Sequence, residues 1–181
     1  MKLYFIYLRR FAVMNNIKVV KFGGSSLADS AQFRKVAAII RGDADRKFVV
    51  ASAPGKRFKE DIKITDMLYS CYEKAAKGEK FDKEFDAIEQ RYNSIIKDLG
   101  VNIDLSGEYN EIKDAFAHRA GRDFAASRGE YLNSKVLAAY IGYNFVDPAG
   151  YIKFSEDGAF DLDTTPVSYT HLRAHETRRH L

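Results

Sequence analysis

The 181 residues are 46% hydrophobic and 30% charged, a composition that fits one globular domain with a real core and excludes a disordered chain. The formal net charge of +4 resides in the ends of the sequence, because residues 1–13 carry three basic residues and no acid, and residues 166–181 carry three arginines and one glutamate. Residues 14–165 have a net charge of −1, so we expect no nucleic-acid-binding face and no nucleic acid partner.

The first 13 residues show no targeting segment. The apolar run Leu3–Leu8 has six residues, too few to cross a bilayer or to form the core of a signal peptide. We therefore interpret residues 1–13 as an extension outside the core, with Met14 as a plausible alternative start to Met1. Cys71 is the only cysteine, which excludes an internal disulfide. These features predict a cytoplasmic protein without a membrane span.

A strand followed by a glycine-containing turn organises the N-terminal part of the chain. Residues 17–20 are rich in β-branched side chains and predict a strand buried on both faces of a parallel sheet. The sequence then reads Lys21-Phe22-Gly23-Gly24-Ser25-Ser26. The glycines let backbone N–H groups approach an anion, and the serines and the lysine add donors, so this turn is a candidate phosphate site. An ordinary strand-to-helix turn explains the same residues, and at this point both interpretations stand.

The next segments predict a βαβ unit. Asp29 or Ser30 suits the N-cap of a helix whose apolar residues recur at helical spacing up to Gly42. The apolar run Phe48–Ala51 predicts a second strand. A strand, a helix and a strand in this order form a right-handed unit with parallel strands, so the predicted fold class is α/β.

The second strand ends in another polar turn, Ser52-Ala53-Pro54-Gly55-Lys56-Arg57. A P-loop does not fit, because its first glycine would fall at Val50 and its final serine or threonine at Arg57. Taken alone, Ser52 suits a turn hydroxyl and Thr65 suits a helix N-cap. Ligands of open α/β sheets bind beyond the carboxyl ends of the strands, and the two turns together therefore favour a shared site there.

Residues 65–119 predict helical hairpins with long apolar faces, an insertion that we interpret as a lid or a flank of a substrate pocket. A further helix follows Ser127-Arg128-Gly129-Glu130, and after it we predict a strand at Tyr143–Val146 and a small β-hairpin within residues 152–161. We place Glu130 in the first turn of that helix, where an acid stabilises the helix by roughly 0.3–1 kcal/mol. The alternative role is a carboxylate that binds an ammonium group.

Four polar segments, in this order and spacing, resemble those of aspartate kinase: Lys21–Ser26, Val50–Lys56, Thr65-Asp66 and Ser127–Glu130. The resemblance covers residues 14–165. It implies the three-layer αβα sandwich of the amino-acid kinases, with a mainly parallel sheet that is incomplete in this chain. It also implies transfer of the ATP γ-phosphoryl group to the side-chain carboxylate of L-aspartate, the first step towards lysine, threonine and methionine.

The resemblance assigns roles to individual residues. Those expected to bind the ATP phosphates are Lys21, Phe22, Gly23, Gly24 and Ser25. Lys21 would in addition stabilise charge on the transferring phosphoryl group, and Mg²⁺ would bridge the phosphates. Ser52 and Thr65 would line the aspartate and phosphoryl site, and Glu130 would hold the substrate ammonium group. The complete enzyme is expected to be a homo-oligomer.

The departures from the family matter as well. Aspartate kinases continue into nucleotide-binding loops and regulatory domains that this sequence does not contain, so we expect a substrate-side fragment that is inactive alone. An exposed apolar sheet edge and uncovered helix faces should make this fragment poorly soluble or cause it to dimerise through that edge. Residues 166–181 look like a non-native tail, and the spacing of His171 and His175 does not match a zinc motif, so no metal site is expected. The alternative function is a kinase-derived domain that binds a ligand or partner without catalysis.

Overall fold

The computed structural model describes residues 17–118, 120–155, 157–161, 163 and 165. The predicted N-terminal extension and C-terminal tail lie outside these described residues. The chain divides into two compact units, Met1–Asn144 and Phe145–Leu181. Among the described residues, no helix is long and apolar enough to cross a membrane.

The first unit contains a parallel pair of strands, β1 (Lys18–Phe22) and β2 (Arg46–Ala51). Its helices are α1 (Ser30–Arg41), α2 (Ile64–Ala76), α3 (Asp82–Leu99), α4 (Ser106–Ala117) and α5 (Arg122–Ile141). A single 3-10 turn at Gly24–Leu27 joins β1 to α1. The predicted βαβ unit and its parallel strands are therefore confirmed.

The two faces of the sheet differ in burial. Phe22 and Val49 lie on the face that packs on the helical core. On the opposite face Val19 is 67% exposed and Val50 is 49% exposed. The prediction of a strand buried on both faces is thus wrong, because the described residues place a helical layer on one face and leave the other open.

Helix α1 begins where the sequence predicted. The Asp29 carboxylate accepts a hydrogen bond of 2.9 Å from the backbone N–H of Gln32, which satisfies one donor of the first turn. Its buried face consists of Phe33, Val36, Ala37 and Ile40. This spacing is the predicted apolar stripe, and it anchors the helix against the core.

Helices α2 to α5 enclose an aromatic core. The rings of Phe85 and Phe116 pack edge to face with centroids 6.4 Å apart, a favoured geometry for aromatic pairs. Gly100 ends α3 in the left-handed conformation, with φ of 66°. Cys71 is fully buried on α2, and its burial raises the pKa of the thiol to about 12. The predicted helical hairpins are confirmed.

Helix α5 starts at Arg122, well before the predicted position. Ser127 does not cap the helix; its hydroxyl donates a hydrogen bond of 2.8 Å back to the carbonyl of Phe124 within the helix. Ala125 and Gly129 extend the buried stripe towards the N-terminus. Glu130 therefore lies in the middle of α5, and the prediction that it sits in the first turn is wrong.

The C-terminal predictions are met in part. Residues 143–146 form no strand in the described structure, in which β1 and β2 pair only with each other, so the predicted strand is wrong. Without a neighbouring strand the backbone of this segment has no ladder to join. In the second unit, Phe154 and Phe160 form an antiparallel bridge next to Gly158, which has a φ of 81°. The predicted hairpin is thus present in a minimal form.

Candidate functional site

A cleft of about 470 Å³ lies beyond the carboxyl ends of β1 and β2. Its walls come from the loop after each strand, from the start of α2 and from the middle of α5. The lining residues are Gly24, Ser25, Ser52, Ala53, Pro54, Gly55, Lys56, Lys63, Thr65 and Glu130. The volume falls within the range of small-molecule sites, and the location is where open α/β sheets bind ligands.

The two strand-end loops touch at a pair of glycines. The backbone N–H of Gly55 donates to the carbonyl of Gly24 at 2.8 Å. A Cβ atom on Gly24 would lie 2.7 Å from the carbonyl oxygen of Ala53, and one on Gly55 would lie 2.7 Å from the carbonyl carbon of Gly24. Both glycines are therefore required by the close approach of the two backbones.

Asp61 fixes the loop after β2. Its carboxylate accepts hydrogen bonds from the backbone N–H, Nε and Nη2 of Arg57 at 2.8–2.9 Å, and from Nη1 of Arg91 at 2.9 Å. The hydrogen bonds from Arg57, together with the charge of Arg91, hold the pKa of Asp61 well below its usual range. The carboxylate is thus ionised at neutral pH, and its hydrogen bonds to Arg57 join two ends of the same loop.

Arg91 connects this loop to the rest of the site. It is 6% exposed, and its Nη2 donates to the carbonyl of Gly55 at 2.6 Å and to the carbonyl of Ala28 at 3.1 Å. Burial lowers the pKa of the Arg91 guanidinium, and the adjacent Asp61 carboxylate opposes this effect. The Arg91 guanidinium therefore connects the loop after β1 to the loop after β2.

Thr65 occupies the second position of α2. Lys63, not Thr65, is the N-cap residue, and its side chain makes no capping hydrogen bond. The predicted N-cap role of Thr65 is therefore wrong, and its side chain lines the cleft instead. The backbone N–H of Ile64 donates to the carbonyl of Pro54 at 3.2 Å, which ties the start of the helix to the loop after β2.

Helix α5 approaches the loop after β2 closely enough to bring Glu130 to the cleft. A Cβ atom on Gly129 would lie 2.7 Å from Cβ of Ala53, so a larger residue does not fit there. Asn133 is fully buried, and its Nδ2 donates to the carbonyl of Ser52 at 2.7 Å. Glu130 itself remains exposed, with its side chain available to a ligand.

The structure brings five of the eight residues singled out from the sequence into the cleft lining: Gly24, Ser25, Ser52, Thr65 and Glu130. Three do not line it. Lys21 lies on the open face of the sheet in register with Val50, Phe22 packs on the core, and Gly23 precedes the 3-10 turn as its N-cap.

Several residues that build this site have no predicted role from the sequence. Lys56 and Lys63 line the cleft, whereas Arg91 and Asn133 lie behind it. The latter two carried a usable pattern, because each is a polar residue at a core-facing position of an apolar helical stripe. A buried polar side chain requires a partner, which points to a structural contact at that position.

No group of three or more His, Cys, Asp or Glu side chains suited to a metal ion occurs in the part of the chain that the structure describes. Glu130 is the single acidic residue among the described residues of the cleft lining.

The profile described as the amino acid kinase family matches residues 16–175. The chain belongs to the amino acid kinase family. Aspartokinase 3 of Bacillus subtilis is 35% identical over 170 residues, which are 86% of this chain and 37% of that protein. A bifunctional aspartokinase/homoserine dehydrogenase of Daucus carota is 33% identical over 141 residues, 68% of this chain and 14% of that one.

Solved structures agree with the family assignment. Aspartate kinase of Clostridium acetobutylicum is 46% identical and superposes with a TM-score of 0.80 over 84% of this chain and 35% of that one. Aspartokinase III of E. coli, solved in complex with aspartate and ADP, is 22% identical with a TM-score of 0.63 over 82% of this chain and 36% of that one, a likeness of fold. The chain spans 37% and 35% of the lengths of the Bacillus and Clostridium kinases. The α/β class, of the αβα amino-acid-kinase type, and the resemblance to aspartate kinases are confirmed.

Proposed function

We propose that this chain forms the aspartate-binding side of an aspartate kinase, which transfers the γ-phosphoryl group of ATP to the side-chain carboxylate of L-aspartate. The observation that carries the proposal is the convergence of Gly24, Ser25, Ser52, Thr65 and Glu130 on one cleft from four separate segments. The similarity to aspartate kinases from two bacteria, at 35% and 46% identity, supports the same substrate.

The charges in the cleft fit L-aspartate. Glu130 offers a carboxylate to the substrate ammonium group, and Lys56 and Lys63 offer ammonium groups to its carboxylates. The hydroxyls of Ser52 and Thr65 add neutral hydrogen-bond donors. One acid and two bases around a small cleft match a ligand that carries one positive and two negative charges.

The glycine turn is proposed to bind the phosphoryl group during its transfer to aspartate. An oxygen of the aspartate side chain attacks the γ-phosphorus, a new O–P bond forms, the bond to the bridging β–γ oxygen breaks, and ADP leaves. Backbone N–H groups of the Gly24–Leu27 turn would stabilise the negative charge on the transferred group. Mg²⁺ bound to the phosphates would supply further positive charge.

The proposed role of Lys21 requires its side chain to extend from its position on β1 to the cleft. To stabilise the transferring phosphoryl group, its four-carbon side chain must reach the cleft from the open face of the sheet. It lies three residues before Gly24, at the end of β1 nearest the cleft. For the whole protein we further propose ATP and Mg²⁺ as cosubstrates, a homo-oligomeric assembly, a cytoplasmic location and a role in lysine, threonine and methionine synthesis.

Isothermal titration of the 181-residue chain with L-aspartate and with succinate tests the proposal. Succinate keeps both carboxylates but lacks the ammonium group, so we expect it to bind at least about tenfold more weakly if Glu130 holds that group. Absence of L-aspartate binding would contradict the proposal. We expect no ATP-dependent formation of aspartyl phosphate by these 181 residues, measured as the hydroxamate, since phosphoryl transfer requires both substrates held in line.

A further inference from the structure

Helix α3 contributes no residue to the described lining of the cleft, yet two consecutive residues of this helix contact two of the elements that line the cleft. Arg91 donates to the carbonyl of Gly55, which lines the cleft on the side of the strand-end loops, at 2.6 Å. The hydroxyl of Tyr92 donates to the carbonyl of Gly129, the residue before Glu130, at 2.7 Å. Successive side chains on a helix point in different directions, which allows this pair to reach two elements at once.

Both contacts are shielded from water. Arg91 is 6% exposed and Tyr92 is fully buried. The acceptors are backbone carbonyls, so the bonds fix the course of the main chain and not one rotamer of a side chain. Arg91 also donates to the carbonyl of Ala28 beyond the 3-10 turn, which ties a third segment to the same guanidinium.

We infer that Arg91 and Tyr92 are positioning residues that set the distance between the Gly24–Gly55 contact and Glu130, and thereby the affinity of the cleft for its amino-acid ligand. This inference rests on the proposed function for the identity of the ligand. The geometric part, that α3 fixes the backbone of both walls, is independent of any ligand.

A merely structural role makes a different prediction. If the two side chains only fill the core, their replacement lowers the stability of the protein but leaves the geometry of the cleft and its affinity for the ligand unchanged. If they position the walls, conservative changes that keep size alter the cleft itself. Arg91→Lys keeps a positive charge near Asp61 but loses the planar fork that reaches several acceptors, and Tyr92→Phe removes one hydroxyl. Ile95→Val, a buried change on the same helix, is the control for stability alone.

The experiment combines nuclear magnetic resonance, titration and melting on the 181-residue chain. In Arg91→Lys we expect exchange of the Gly55 amide, which is bonded to the Gly24 carbonyl, to accelerate at least about tenfold beyond the change in Ile95→Val. In Tyr92→Phe we expect a shift of the Gly129 carbonyl carbon resonance. Both variants should weaken L-aspartate binding by about tenfold, the loss expected for a buried hydrogen bond that fixes the site, while Ile95→Val leaves it unchanged.

The inference is overturned if Gly55 exchange, the Gly129 resonance and L-aspartate affinity in both variants follow the control. Wild-type protein that binds no L-aspartate would contradict the proposed function instead. In that case the exchange rate and the carbonyl resonance still decide whether α3 positions the walls, because neither measurement requires a ligand.

Discussion

Asp61 lies between two guanidinium groups and is 8% exposed, so its carboxylate is paired where little water reaches it. Removing its charge leaves the buried Arg91 without a counter-ion. We predict that Asp61→Asn lowers the free energy of unfolding by about 3–5 kcal/mol at pH 7, as for other broken buried pairs. Urea denaturation measures this loss. The surface pair of Lys18 and Asp43 is the control, and Asp43→Asn should lower the free energy of unfolding much less.

The effect of Asp61 should depend on pH. Its pKa is depressed in the folded protein, whereas an unfolded aspartate has a pKa of about 3.9. The stabilisation is therefore fully present above about pH 4 and is lost as the pH falls further towards the folded-state pKa. We expect the stability difference between wild type and Asp61→Asn to shrink below pH 4. A difference that stays constant down to pH 2.5 would contradict this assignment.

Lys21 is predicted to act on the chemical step. In a chain extended to the length of its relatives, Lys21→Ala should lower kcat by about 10²–10³ and change the KM for aspartate much less, because a positive charge on the phosphoryl group acts chiefly in the transition state. Lys47→Ala, at an exposed lysine of β2, is the control. An unchanged kcat in Lys21→Ala would remove Lys21 from the site.

Glu130 is predicted to govern affinity for aspartate. Glu130→Gln keeps the shape of the side chain and deletes the charge, so the KM for aspartate in the extended chain should rise about tenfold or more with little change in melting temperature. Glu111→Gln, at an exposed glutamate of α4, should change neither quantity. A lower melting temperature in Glu130→Gln without a change in KM would assign Glu130 a structural role only.

At the level of elements, the packing of α5 depends on Gly129. A Cβ atom there would meet Ala53 at 2.7 Å, Ile64 at 3.2 Å and Leu68 at 3.3 Å. We predict that Gly129→Ala destabilises the protein by about 1–3 kcal/mol, because overpacking outweighs the gain in helix propensity. Gly107→Ala on α4 meets no atom within 4 Å and should stabilise by up to about 1 kcal/mol. Equal effects of the two changes in thermal melts would contradict this account.

The elements with local signals could be predicted from the sequence. The Asp29 cap, the apolar face of α1 and the glycine after α3 depend on residues that lie within a few positions of one another. The start of α5 was missed, because Ser127 has the residue type of a cap but donates its hydroxyl within the helix. Propensity alone does not separate these two uses of a serine.

Part of the candidate site could be predicted from the order of the strands and turns in the sequence. Its lining residues follow strand ends, and the topology of parallel strands places such residues together. The partners of Arg91 and Asn133 are carbonyls on distant segments, and no local pattern specifies them. The burial of the sheet was predicted wrongly because an apolar run indicates what a strand can bury and not what covers it.

At the scale of the whole molecule, the open face of the sheet should affect association. Val19 and Val50 expose apolar surface on that face. We predict that the 181-residue chain self-associates as its concentration rises, which static light scattering detects. The double change Val19→Thr and Val50→Thr keeps β-branching but adds hydroxyls, and it should reduce the apparent mass towards that of a monomer. A wild-type chain that stays monomeric at high concentration would contradict this prediction.

The burial of Cys71 also makes the rate of thiol labelling a measure of how often helix α2 opens. The thiolate is the form of cysteine that attacks thiol reagents, and with a pKa of about 12 and no exposed surface the Cys71 sulfur does not react while α2 stays packed. Because the sequence has a single cysteine, every labelling event reports an opening of that helix. The same helix carries Thr65 at the cleft. Labelling rates measured with and without an added amino acid therefore show how strongly the ligand stabilises the packed helix. The measurement needs no engineered cysteine.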